Sequence, residues 1–192
     1  MDIKKPKPRI KVAVIGSSRY SEIDEEQKKI AYNIGKAIAN SGCVLITGGG
    51  KGSSEFAAEG AKENKGFCIG ISPADNYENH INIFKNPSLI FDALIYTGFG
   101  YKGRNVVLIR SCDAVIALSG GVGTLNELTI ALDEGKNIGI LKNSGLVSDI
   151  FLDFYNKISN QRKFKGSIVI KDSPEELVRE IIKISSDLPS LS

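Results

Sequence analysis

Apolar residues in this chain fall into two arrangements that alternate along its length: short unbroken runs, and longer segments in which they return every three or four positions. The unbroken runs at 11–15, 44–47, 67–71, 93–96, 113–118, 138–141 and 168–170 read as strands. The spaced segments at 24–40, 54–64, 103–111, 124–134 and 147–158 read as helices. Asp24-x-x-Gln27 caps the first of these, and Ser173-Pro174-Glu175-Glu176 opens a last helix with proline in its first position. A polar loop runs from Ser72 through Asn82.

A strand that is apolar throughout, rather than at alternate positions, is buried on both faces. Strands of that kind, each followed by a helix, predict a Rossmann-like, doubly wound α/β fold with a mainly parallel sheet and helices on both faces. A chain of 192 residues suits one such domain over 11–192, burying roughly 70% of its unfolded surface. Ligands of these folds bind beyond the carboxyl ends of the strands, where three glycine turns fall: Gly16-Ser17-Ser18, Gly48-Gly49-Gly50-Lys51-Gly52 and Gly120-Gly121-Val122-Gly123-Thr124.

Charge narrows the partners. The formal net charge is +3, but residues 1–11 carry Lys4, Lys5, Lys7, Arg9 and Lys11 against Asp2, which leaves the rest of the chain slightly acidic. Residues 1–10 read as a basic disordered tail. The body offers no broad basic footprint, so nucleic acid is not the expected partner, and a local anion site is. Cys43, Cys68 and Cys112 are widely spaced among apolar neighbours and only one histidine is present, so no metal site is expected. Buried free thiols, with no apolar leader after Met1 and no run long enough to span a membrane, suit the cytoplasm. His80 has no acidic partner at a telling spacing and reads as an ordinary surface residue.

The 113–127 segment carries the most chemistry. A strand enters a turn with Gly120, Gly121 and Gly123, and a helix follows. Such a turn brings backbone N–H groups close to a ligand, and the helix start adds unpaired donors and a positive dipole end, which together cradle a phosphate. Thr124-x-x-Glu127 also has the form of a capping box, in which Glu127 does nothing but reach back to Thr124. Three other patterns fail. Gly98-Phe99-Gly100-Tyr101-Lys102-Gly103 is a literal G-x-G-x-x-G outside the first strand–helix unit, with no acidic residue closing a following strand. Lys51 is followed by Gly52 instead of Ser or Thr, so there is no Walker loop. The serine hydrolase elbow G-x-S-x-G is absent.

Taken together, Gly16-Ser17-Ser18, the G-G-x-x-G turn of Gly48, Gly49 and Gly52, Gly60-Ala61, Arg104, Asp113-Ala114 and G-G-x-G-T-x-x-E at 120–127 resemble the Lonely Guy (LOG) superfamily over most of residues 11–145. The resemblance implies a homodimer or higher oligomer that cleaves the N-glycosidic bond of a nucleoside 5′-monophosphate to free base and ribose 5-phosphate. It needs no cofactor. By the same resemblance Arg104 and Glu127 are the catalytic pair. Gly16, Ser17, Ser18, Gly48, Gly49, Gly52, Asn105, Gly120, Gly121, Gly123 and Thr124 then bind the phosphorylated ligand. The chemistry suits the residues, since the oxocarbenium-like cation formed at the sugar C1 is stabilised by a carboxylate, which also activates water. Three departures stand out: Ser119 replaces a motif proline, Asn105 replaces the lysine of an Arg-Lys pair, and Ser53-Ser54 replaces an apolar pair. They are more similar to a side branch that includes the molybdenum cofactor carrier proteins, which hold a phosphorylated pterin. A noncatalytic carrier or sensor is therefore the alternative.

Overall fold

The computed structural model describes residues 8–186. Its elements are β1 (Lys11–Ile15), α1 (Glu25–Asn40), β2 (Val44–Thr47), α2 (Ser53–Glu63), β3 (Phe67–Ser72), α3 (Tyr77–Asn82), β4 (Ala93–Tyr96), α4 (Gly100–Arg110), β5 (Ala114–Ala117), α5 (Val122–Asp133), β6 (Asn137–Leu141), α6 (Leu146–Ile158), β7 (Ile168–Lys171) and α7 (Pro174–Ser186). The seven strands form one parallel sheet in the order β4-β3-β2-β1-β5-β6-β7. This is the doubly wound fold that the apolar runs predict. The direction of winding reverses between β1 and β5, so a crevice opens where their carboxyl ends diverge.

The central strands are buried along their length because helices cover both faces. On one face Val12, Val14, Leu45 and Ile116 meet Ile34 and Ile38 of α1, Ala57 of α2 and Leu177 and Ile181 of α7. On the other, Ala13, Ile15, Val115 and Ile138 meet Leu108 of α4, Leu128 of α5 and Phe151 of α6. Each fully buried Ile or Leu contributes about 1.5–3 kcal/mol. The edge strands β4 and β7 are only partly covered. Gly60 lies against the backbone of α1, where a Cβ would sit 2.0 Å from Tyr32 O, and this is what lets α1 and α2 pack backbone to backbone.

One local cap and several long-range contacts fix the element ends nearest the N-terminus. Gln27 N–H donates to Asp24 Oδ1 (2.8 Å) and Asp24 N–H to Gln27 Oε1 (3.2 Å), completing the expected capping box. At the start of β1 and β5, Lys11 Nζ and Lys11 N–H both donate to Asp113 Oδ2 at 2.8 Å. Arg9, placed by the sequence in a disordered tail, donates to Gly42 O (2.8 Å) and Cys43 O (3.1 Å). Ile10 packs on the core beside it. Residues 1–7 of that tail lie outside the described residues. No helix of the described residues is long and apolar enough to cross a membrane.

Candidate functional site

One cleft of about 740 Å³ lies at the crevice between β1 and β5. Of the residues expected to bind ligand, Gly16, Ser17, Ser18, Gly48, Asn105, Gly121, Gly123 and Thr124 line it, together with Arg104 and Glu127. Gly49, Gly52 and Gly120 do not line it. Gly52 has a scaffolding role instead: its φ of +74° is left-handed, and a Cβ there would fall 2.3 Å from Ser17 O. That close approach lets Ser53 N–H donate to Ser17 O at 2.9 Å, tying the first two turns together. Gly120 packs against the Thr124 side chain, and Gly49 against the β3 backbone near Gly70.

The capping box expected at Thr124 and Glu127 is not formed. Gly121 is the N-cap of α5, and Leu125 N–H makes the first intrahelical bond to Gly121 O at 3.0 Å. The glycines let the helix begin two residues early, which moves Thr124 into the first turn and Glu127 one turn further, out of reach of the cap. The N–H groups of Val122, Gly123 and Thr124 precede the first helical bond, and these residues line the cleft at the positive end of the helix dipole.

Glu127 is 6% exposed and Arg104 9%. Burial pushes the Glu127 carboxyl up to about 7, against the opposing pull of Arg104 and Lys102. Burial likewise pushes the Arg104 guanidinium down, against the attraction of Glu127. Arg104 lies flat along the β2–α2 turn, where any side chain at Gly48 would collide with it, a Cβ falling 1.9 Å from its Nη1. Its single hydrogen bond, Nη1 to Ile71 O, is long at 3.4 Å, and its buried Nε has no partner. Asn105 lines the cleft and also reaches Glu127. With its amide and that of Asn126 both turned end for end, Asn105 Nδ2 donates to Glu127 Oε1 (3.1 Å) and to Tyr101 O (2.9 Å), and its oxygen accepts from the Asn126 amide nitrogen at 2.9 Å. Burial lifts this carboxyl while a neutral donor and nearby cations limit the rise, and that balance sets it in the working range of acid–base chemistry.

A model of the SLOG cluster4 family matches residues 9–178. The chain belongs to this family. Among relatives, it is 34% identical over 111 residues to the cytokinin riboside 5′-monophosphate phosphoribohydrolase of Mycobacterium tuberculosis, covering 57% of this chain and 56% of that one. The chain thus spans little more than half the length of that hydrolase. Among solved structures, it is similar to the molybdenum cofactor binding protein of Rippkaea orientalis, with a TM-score of 0.72 and 35% identity over 93% of this chain and 97% of that one. The molybdenum cofactor carrier protein of Chlamydomonas reinhardtii shares the fold, with a TM-score of 0.76 at 24% identity over 94% of this chain and 100% of that one.

The SLOG cleft also holds residues that motif reading passed over. Arg19, Lys51 and Lys102 join Arg104 around it, so four cations face one carboxylate. Tyr101 and Lys102 come from the Gly98–Gly103 pattern, which is no dinucleotide fingerprint but is the turn that feeds α4 into the cleft three residues earlier than the apolar spacing suggests. Phe84 and Asn86 come from the segment between α3 and β4, which has no motif at all. Nearby, His80 is the opposite of the expected surface residue. It is fully buried: Pro87 O accepts from Nε2 at 2.8 Å, so Nδ1 is left to accept from Ser72 Oγ at 2.8 Å. Cys68 and Cys112 are buried with thiols pushed up to about 12, which removes thiolate chemistry. No group of three His, Cys, Asp or Glu side chains gathers among the described residues to hold a metal ion.

Proposed function

We propose that this SLOG-family protein hydrolyses the N-glycosidic bond of a nucleoside 5′-monophosphate, releasing the base and ribose 5-phosphate. The observation that carries the reading is Glu127, a carboxyl buried in a cationic cleft, free of any capping duty and pushed up to about 7. A carboxyl in that position is costly to the fold and useful to a reaction. The ligand phosphate takes the free amides of the first turn of α5, with Lys102 and Arg104 on the same cleft wall. Phosphate binding remote from the reacting carbon positions the sugar. As the C1–N bond breaks, its electron pair leaves with the base and positive charge grows on the sugar. Glu127 stabilises that charge, takes a proton from the water that adds to C1 and passes it to the nitrogen of the leaving base, so one water is consumed for each bond cleaved and Glu127 is regenerated.

The likeness to phosphoribohydrolases supports this reading. A second reading, a carrier or sensor of a phosphorylated pterin such as molybdenum cofactor, is supported by the 35% identity that extends along 93% of the chain to a cofactor-binding protein. In that role the same amides and cations hold the phosphate, and Glu127 stays protonated when the anionic ligand is bound. Assembly as a homodimer or higher oligomer belongs to both readings.

The deciding experiment is chromatographic base release from a panel of nucleoside 5′-monophosphates, with Glu127→Gln protein in parallel. The hydrolase reading expects release by the wild type and a loss of about 10³-fold or more in the variant, in line with removal of a group essential to acid–base and charge-stabilising steps. Absence of release from every member of the panel, by folded protein, transfers the assignment to the carrier.

A further inference from the structure

Two buried polar side-chain atoms of the described residues lack a hydrogen-bond partner, Arg104 Nε and Asn86 Nδ2, and both residues line the cleft. Arg104 is accounted for by an anionic ligand. Asn86 has no part in the chemistry proposed above. It is only 9% exposed, and its backbone is pinned by donation of its N–H to His80 O at 3.1 Å. Its side chain faces the β2–α2 turn, with Oδ1 3.5 Å from where a Cβ on Gly50 would stand. A buried amide left unpaired costs about 1–3 kcal/mol. Its surroundings are aromatic: Phe84 and Tyr101 line the same cleft and meet edge to face, with centroids 5.4 Å apart at 76°.

We propose that Asn86 and the Phe84–Tyr101 pair form the ring-recognition subsite of the cleft, which takes a planar heteroaromatic ring presenting a donor and an acceptor side by side. The chemistry is specific. A primary amide offers one donor group and one acceptor group in a plane, and the edge that satisfies both at once is an amino-azine or a lactam, as in asparagine pairing with a nucleobase edge. A half-turn of the amide exchanges the two atoms, so either order is readable. The aromatic pair supplies an apolar wall for the ring face. Nucleobases and pterins share this edge chemistry. The subsite rests on the proposed function, in which the phosphate end of the same ligand is bound on α5; a ring bound without that phosphate reports the subsite alone.

Isothermal titration of wild-type protein, Asn86→Ala and Asn86→Leu with ribose 5-phosphate, AMP, GMP and neopterin tests it. Leucine keeps the volume of asparagine while deleting the polar edge. The expected result is that AMP or GMP binds the wild type at least about 10-fold more tightly than ribose 5-phosphate, and that both variants lose about 10-fold of that gain. Their affinity for ribose 5-phosphate should stay within about twofold of wild type, which also reports that they are folded. Equal wild-type affinity for ribose 5-phosphate and the nucleotides overturns the subsite and leaves the phosphate site standing. Variants that bind every ring ligand as the wild type does also overturn it. Asn86-dependent binding of neopterin without binding of ribose 5-phosphate, AMP or GMP supports the subsite and overturns the phosphoribohydrolase reading.

Discussion

His80 and Glu127 are both buried near the carboxyl ends of the strands, but their surroundings are finished in different ways. Each ring nitrogen of His80 has a partner at 2.8 Å, and Ser72 Oγ, which donates to it, also accepts from Ala74 N–H at 3.0 Å. Glu127 has one amide donor at 3.1 Å, and its cations act on it only as nearby charges. Its neighbours Arg104 and Asn86 keep polar atoms with no partner. A closed network lowers the energy of the folded chain and fixes a loop; an open one raises that energy and waits for something else to complete it. The first region is therefore scaffold and the second carries the proposed site, although both look alike as buried polar residues.

The largest effect on stability should come from opening the closed network. His80→Ala removes a buried ring and leaves the Ser72 hydroxyl and Pro87 O without their partner. Unfolding by urea should show a loss of about 2–4 kcal/mol, from the cavity and the two stranded groups together. Because the His80 carbonyl also holds Asn86 N–H, the loss should be accompanied by weaker ligand binding. A change under about 0.5 kcal/mol would place His80 outside the scaffold and dissolve the contrast.

Glu127 should behave in the opposite sense. Its carboxyl titrates near 4.5 when unfolded and at about 7 when folded. Between those values the folded chain binds more protons than the unfolded one, so stability is highest below about 4.5 and falls as pH rises through about 7. Glu127→Gln has no proton to lose and lacks that slope. Relative to wild type it should gain up to ~3 kcal/mol on going from pH 4 to pH 8, measured as the difference between their denaturation free energies at each pH. A site residue whose ionisation costs the fold stability is what an open network implies, and a variant whose stability relative to wild type is the same at both pH values would contradict it.

Much of this was legible in the sequence because it rests on local repetition. Unbroken apolar runs gave the strands their places, and the three glycine turns pointed to the end of the sheet where the cleft lies. Asp24 and Gln27 formed the cap that their spacing suggests. The failures share a physical cause, which is that burial and pairing are decided by distant segments. The polarity around His80 reads as surface because its partners, Ser72 and Pro87, reach it only through the fold. Thr124 and Glu127 fit a capping pattern, but glycine at 121 started the helix earlier and freed the glutamate. Asn86 and Phe84 sit in a segment with no periodicity and no motif, and only the packing of that segment beside Gly50 and Tyr101 brings them to the cleft.

The smallest effect concerns how finely Glu127 is set. Asn105 donates to its Oε1, and a donor to the charged form lowers a carboxyl pKa. Asn105→Ala should therefore raise the Glu127 midpoint further, by roughly 0.5–1 unit for one hydrogen bond to a carboxylate. Asn105→Lys brings a cation to the same place beside Arg104 and Lys102 and should lower it. Carbon NMR of the labelled Glu127 carboxyl reads both midpoints directly and does not depend on turnover. If both variants moved the midpoint in the same direction, Asn105 would be acting through packing alone. Opposite shifts would identify Asn105 as a positioning residue that holds Glu127 near neutrality, where a carboxyl can accept a proton in one step and return it in the next.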